Sequence, residues 1–167
     1  MNRHLCYVCN FMKAATIHDI KHELIQLSPS KLTDICLRLS RFKKENKELI
    51  SYLLFEAGDE NGYVQSVKIE MDELFETVNK SNLYLAKKTL RKILRTANKH
   101  IRYMSSKPAE TELLIYFCRK MKAMGLPLHK NTVLANLYKN QVGKIEKLIN
   151  GLHEDLQHDY TTQLNTL

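Results

Sequence analysis

LYLAKKTLRKILRTANKHIRYM, residues 83–104, is the stretch whose reading decides the fold. Leu83, Ala86, Leu90, Ile93, Leu94, Ala97, Ile101 and Met104 recur at spacings of three and four, the period of one face of an α-helix. Between them stand Lys87, Lys88, Arg91, Lys92, Arg95, Lys99 and Arg102, with no acidic residue in the whole stretch. A strand would put apolar residues at every second position, and this segment does not. Neither Gly nor Pro interrupts it. The spacing predicts one long amphipathic helix with an apolar side and a basic side.

The same period extends in both directions. Toward the C-terminus, Ser105-Ser106-Lys107-Pro108 breaks the chain, with Ser106 or Lys107 ahead of a proline suited to a first helical turn. Leu113, Leu114, Phe117, Met121 and Met124 form the next stripe, closed by Gly125. After the linker Leu126-Pro127-Leu128, a last long helix is expected from Val133 through Leu156, and residues 161–167 are expected to fray. Toward the N-terminus, Val64, Val67, Met71, Leu74, Phe75 and Val78 form a stripe with an acidic outer face, separated from the basic helix by Asn79-Lys80-Ser81-Asn82. Leu49 to Ala57 makes another, ended by Gly58. Ser28-Pro29 starts one that runs to about Arg41. Thr16 and Asp19 are spaced as a capping box ahead of Ile17, Ile20, Leu24 and Leu27.

About seven helices joined by short breaks allow near-antiparallel neighbours only. The expected fold is all-α, built of antiparallel hairpins, either as a HEAT- or armadillo-like stack or as a compact bundle. With only 5 Gly and 3 Pro in 167 residues, a sandwich or barrel with many tight turns is excluded. Residues 12–160 are expected to form a single domain, a size that buries a core without disulfides or metal. No apolar run approaches the roughly 20 residues of a membrane span, and Arg3-His4 lead into no continuous apolar stretch of a signal peptide. A cytoplasmic setting with Cys6, Cys9, Cys36 and Cys118 as reduced thiols is the expectation.

Residues 1–11 lack helical periodicity and read as an N-terminal extension, with Met12 as a second candidate initiator. Cys6-x2-Cys9 followed by His18-x3-His22 has zinc-ligand types and pair spacings. Only 8 residues separate the pairs, however, against the ~12 of a standard finger. An exposed helix face accounts for the histidines equally well. Cys-x-x-Cys as a redox motif needs a strand–helix setting that is not predicted here.

Charge is unevenly spread. Residues 1–76 carry 10 Lys/Arg against 12 Asp/Glu, residues 77–145 carry 15 against 2, and residues 146–167 carry 1 against 4. The acids Glu56, Asp59, Glu60, Glu70, Asp72, Glu73 and Glu76 precede the basic helix. They do not fit a Ca²⁺ loop, and they are placed to neutralise part of the basic helix if the two helices pack antiparallel. Without such pairing, like charges at i, i+4 work against the helix, and an external anion explains them: nucleic acid, whose phosphates exchange counterions for Lys and Arg, or an acidic protein or second copy. Tyr84, Tyr103, Tyr116 and Tyr138 are candidates to stack on unpaired bases, or to serve as core-edge residues. A membrane surface fits poorly, because the apolar side is needed for the core and the chain has no Trp.

No Gly-x-Ser-x-Gly elbow, P-loop or Gly-x-Gly-x-x-Gly occurs, and no cofactor is expected. The run Lys43-Lys44-Glu45-Asn46-Lys47-Glu48-Leu49 to Phe55-Glu56-Ala57, with Leu85-Ala86-Lys87-Lys88 onward, resembles a group of uncharacterised small helical bacterial proteins over roughly residues 14–155. The resemblance implies an all-helical domain in a bacterial cytoplasm and carries no activity. The sequence reading is a non-enzymatic binding protein that docks an anionic surface on Lys87, Lys88, Arg91, Lys92, Arg95, Lys99 and Arg102. A protein–protein scaffold and a zinc-binding protein are its alternatives.

Overall fold

The computed structural model describes residues 14–127 and 131–167, and among these it is all-α, with eight α-helices and no strand. The helices are α1 (Ile17–Ile25), α2 (Pro29–Phe42), α3 (Lys44–Ser51), α4 (Glu60–Glu76), α5 (Leu83–Met104), α6 (Lys107–Ala123), α7 (Thr132–Ile149) and α8 (Glu154–Leu164). The chain divides between Ile50 and Ser51 into two compact units.

In the first unit the helix starts are written locally. Thr16 Oγ1 accepts from Asp19 N at 3.2 Å and the Asp19 carboxylate accepts from Thr16 N at 3.2 Å, completing the capping box. Ser28 is the N-cap of α2 and Pro29 its first residue. Neither α1 nor α2 contains a buried residue.

The second unit opens with a π-helical turn, Tyr52–Glu56, in which Ala57 N reaches back five residues to Tyr52 O at 2.9 Å. The turn buries Tyr52 against Tyr63, with ring centroids 4.6 Å apart, and leaves Leu53, Leu54 and Phe55 exposed. Asp59 then caps α4 by accepting from Gly62 N at 2.9 Å.

The core is organised around α6, which packs against α4, α5, α7 and α8. Its sequence explains why. Leu113, Leu114, Ile115, Phe117, Cys118 and Met121 are all buried and spread over more than half of its circumference, so one neighbour cannot cover them, while Glu112, Tyr116, Arg119 and Lys120 form its polar side. Phe117 is 0% exposed and stacks at 5.8 Å on Phe75 of α4. The pairs Lys68–Glu112 and Asp72–Lys120 ascend together, so α4 and α6 run parallel. His100 of α5 meets Glu70 and Tyr63 of α4, which makes α5 antiparallel to both. Lys144–Glu110 sets α7 antiparallel to α6, and Tyr160 of α8 donates to Pro108 O at 3.4 Å near the start of α6. The result is an up-down bundle.

The last long helix expected from Val133 through Leu156 is two helices. At Asn150-Gly151-Leu152-His153 the chain turns, with Gly151 N bonded to Leu148 O and Leu152 N to Ile149 O, and His153 extended ahead of α8. The turn brings Tyr160 back onto the bundle, which a continuous helix would carry away. The segment expected to fray is helical through Leu164, and Leu167 O accepts from Tyr138 at 3.1 Å and from Lys122.

Phe117→Ala removes a ring with no alternative filler at the centre of the bundle. It is expected to lower unfolding stability by about 3–5 kcal/mol, read as a shift in urea midpoint with unchanged denaturant slope.

Candidate anion-binding face

The basic helix is positioned at both ends. Asn82 Oδ1 accepts from Tyr84 N and Leu85 N at 3.0 and 3.1 Å, fixing the start of α5. Ser105 adopts a left-handed conformation, φ 52°, and ends it. Between them Ala86, Leu90, Ile93, Ala97, Ile101 and Met104 are buried on one side. At ~100° per residue, Lys88, Arg91, Lys92, Arg95 and Arg102 lie opposite that side, and all five are exposed. From Lys88 to Arg102 the stripe is ~21 Å long at 1.5 Å per residue.

Lys87 and Lys99, placed by the sequence on the same line, are half-buried. Lys87 Nζ sits 5.2 Å from the centre of the Tyr84 ring. The acid-free face therefore centres on Arg95 rather than on the line from Lys87 to Lys99.

The acids do not neutralise it. Asp59 is a helix cap. Glu60 accepts from Ser106 Oγ at 2.8 Å, and Glu70 meets His100 Nε2 at 3.0 Å. Asp72 faces α6, accepting from Tyr116 Oη at 2.6 Å with Lys120 Nζ at 2.9 Å. Glu56, Glu73 and Glu76 are exposed. Among the described residues, Lys88, Arg91, Lys92, Arg95 and Arg102 make no ion pair with a carboxylate.

The α4–α6 pairs hold the bundle in register. Burial works to raise the Asp72 carboxyl, but hydrogen bonds from Lys120 and Tyr116 outweigh it and hold the group below its usual range. The same contact raises Lys120, chiefly through its hydrogen bond to Asp72. Burial, then the bond to Asp72, raises Tyr116. The sequence reading missed these partners, although the signal was there: Lys68 and Asp72 are four apart, as are Glu112, Tyr116 and Lys120, complementary ladders on two helices.

Of the four tyrosines singled out from the sequence, only Tyr84 presents its ring to solvent, at 68% exposed. Tyr103 is buried edge-on to His100, Tyr116 is held by Asp72, and Tyr138 by Leu167 O. His18 and His22 are exposed on α1, where His22 Nδ1 lies 3.3 Å from Gln26 Nε2. Cys6 and Cys9 lie outside the described residues, among which no three metal-ligating side chains cluster. Burial pushes the Cys118 thiol up to about 12, which rules it out as a nucleophile at neutral pH. No helix among the described residues is long and apolar enough to cross a membrane. No family model matches the chain, nor does any curated protein or solved structure.

Because the folded pKa of Asp72 is lowered, its contribution is present above the ordinary carboxylate value of 3.8 and fades as pH falls through the folded value. Asp72→Asn should cost about 1 kcal/mol at pH 7, discounted for partial exposure. The gap from wild type in thermal melts should narrow below about pH 4. A pH-independent gap would show that the carboxylate charge contributes nothing.

Proposed function

We propose that the protein is a non-enzymatic binding protein that docks a nucleic-acid backbone along the solvent face of α5. The observation that carries this reading is the set of five exposed cations, Lys88, Arg91, Lys92, Arg95 and Arg102, with no carboxylate partner among the described residues. A stripe of ~21 Å matches on the order of six phosphates of one duplex strand at 3.4 Å each. The three arginines supply planar forks that engage phosphate in bidentate fashion, and the lysines supply point charges. Tyr84, at the N-terminal end of the stripe, offers an aromatic surface beside Lys87 on which an unpaired base can stack.

Sequence-independent backbone docking needs only charge at a suitable spacing, and α5 provides it on a rigid element. An acidic protein surface would satisfy the same charges, and the test separates the two through salt dependence and the requirement for nucleic acid.

Titration of a fluorescent random-sequence 20-base-pair duplex at 50 mM salt should give micromolar or tighter affinity. Five phosphate contacts predict a log–log salt slope of roughly −4 to −5. Arg91→Ala with Arg95→Ala, both at exposed positions, should reduce the slope by about 2. No binding of duplex or single strand at 50 mM salt rejects the reading.

A further inference from the structure

We infer that the α1–α2 hairpin is an association surface for a second copy of this chain. The hairpin lacks an interior. No residue of either helix is buried, yet the apolar stripes are long and regular. Ile17 remains 83% exposed, Phe42 76% and Ile25 73%, with Ile20, Ile35 and Leu39 at 37–49%. Helices of 9 and 14 residues are marginal on their own in water and take most of their stability from packing an apolar face. The caps at Thr16 and Ser28 fix where these helices begin, and only burial of the stripes can hold them.

The exposed stripes and the gap between the helices give the surface its shape. Ile17, Ile20, Leu24, Ile25 and Leu32, with Lys21 at the edge, line an apolar groove of about 380 Å³. On α2, Ile35, Leu39 and Phe42 fall on the same side of the helix as Leu32, within ~80° at 100° per residue. At roughly 150–200 Å² for a large side chain, the exposed part of these residues is on the order of 600 Å² per chain. A standard interface uses roughly 800 Å² per partner including a polar rim, so the surface is of dimer size.

Charge decides the occupant. The polar sides carry Asp19, Glu23 and Asp34 interleaved with Lys21, Lys31, Arg38 and Arg41. This mixture opposes neither sign and suits an identical surface brought up by a two-fold axis, where each patch meets its own copy. A membrane-surface helix would show a Lys/Arg-rich polar face and interfacial Trp; these helices mix signs and the chain has no Trp. Two hairpins brought together make a four-helix bundle with the stripes inside.

Sedimentation and light scattering on the full chain from 1 to 100 µM should show the mass rising from 19.5 kDa toward twice that value. The rise should persist at 500 mM salt, because the contact is apolar. Ile17→Glu with Phe42→Glu, at positions that fill no core, should weaken association at least 100-fold and leave the urea midpoint of the α6-centred bundle unchanged. Exposed Cys36 lies on the α2 stripe. In a Cys6→Ser, Cys9→Ser background its alkylation rate should fall as protein concentration rises. Wild type remaining at monomer mass at 100 µM overturns the inference, and so does a dimer unaffected by the double substitution. A monomer that binds neutral lipid vesicles through these residues also overturns it.

Discussion

The structure of the second unit depends on the need to cover α6. Its buried apolar residues cover more than half of its circumference, so it needs several neighbours, and α4, α5, α7 and α8 provide them. Each neighbour needs only one apolar stripe to do so. For α5 that stripe is the line from Ala86 to Met104, and satisfying it fixes the rotation of the helix about its own axis. The basic residues are then forced outward along the length of the stripe. Their exposure follows from the core and is no loose property of long side chains.

The same constraint determines where the acids go. With α4 and α6 parallel and adjacent, Asp72 is drawn to Lys120 and Tyr116, and Lys68 to Glu112. Glu70 is taken by His100 near the C-terminal end of α5. These three contacts use the acids nearest the bundle and leave Lys88, Arg91, Lys92 and Arg95 without a carboxylate partner among the described residues. Repulsion among the four close like-charged pairs of the exposed set costs ~0.2–0.5 kcal/mol each, roughly 1–2 kcal/mol in all. That is comparable to fully burying one large apolar side chain, which α5 does several times over. The bundle therefore tolerates the uncompensated face, and an anion bound there would relieve the repulsion and stabilise the folded chain.

What the sequence revealed was local. The ends of α5 were legible because Asn82 and the Ser105 break act within a few residues, and its rotation was legible because the period is unbroken. The seven basic positions were found, but Lys87 and Lys99 were placed with the exposed set because side-chain burial depends on neighbouring helices. The turn at Asn150–His153 was missed for a related reason. Apolar residues continue at helical spacing on both sides of it, and Gly151 differs little in pattern from Gly143, which lies inside α7. Only the return of Tyr160 to the bundle distinguishes them. The π-helical turn at Tyr52–Glu56 has no sequence signature of its own. The two readings of the tyrosines could not be separated from sequence because one aromatic type serves three settings here: Tyr84 at the surface, Tyr103 in the core, and Tyr116 on a carboxylate.

The two units bear surfaces of opposite physical character, and this separates what each can recognise. The face of α5 has charge of one sign and no apolar residue between Lys88 and Arg95 except those turned to the core. Attraction to it decays over a Debye length, ~8 Å at physiological salt, and depends on the partner's charge density more than its shape. The α1–α2 hairpin has mixed charge and a continuous apolar stripe. Attraction there requires contact and complementarity, and raising the salt does not weaken it. The first surface would therefore discriminate among partners by their charge density, and the second by fit. If two chains join through their hairpins, two basic faces become linked in one particle. Binding of the second face to the same polyanion is then governed by effective concentration rather than by a new contact. Such a particle gains affinity for long anions over short ones without any change in the five cations themselves, so length selectivity would be a property of association and not of α5.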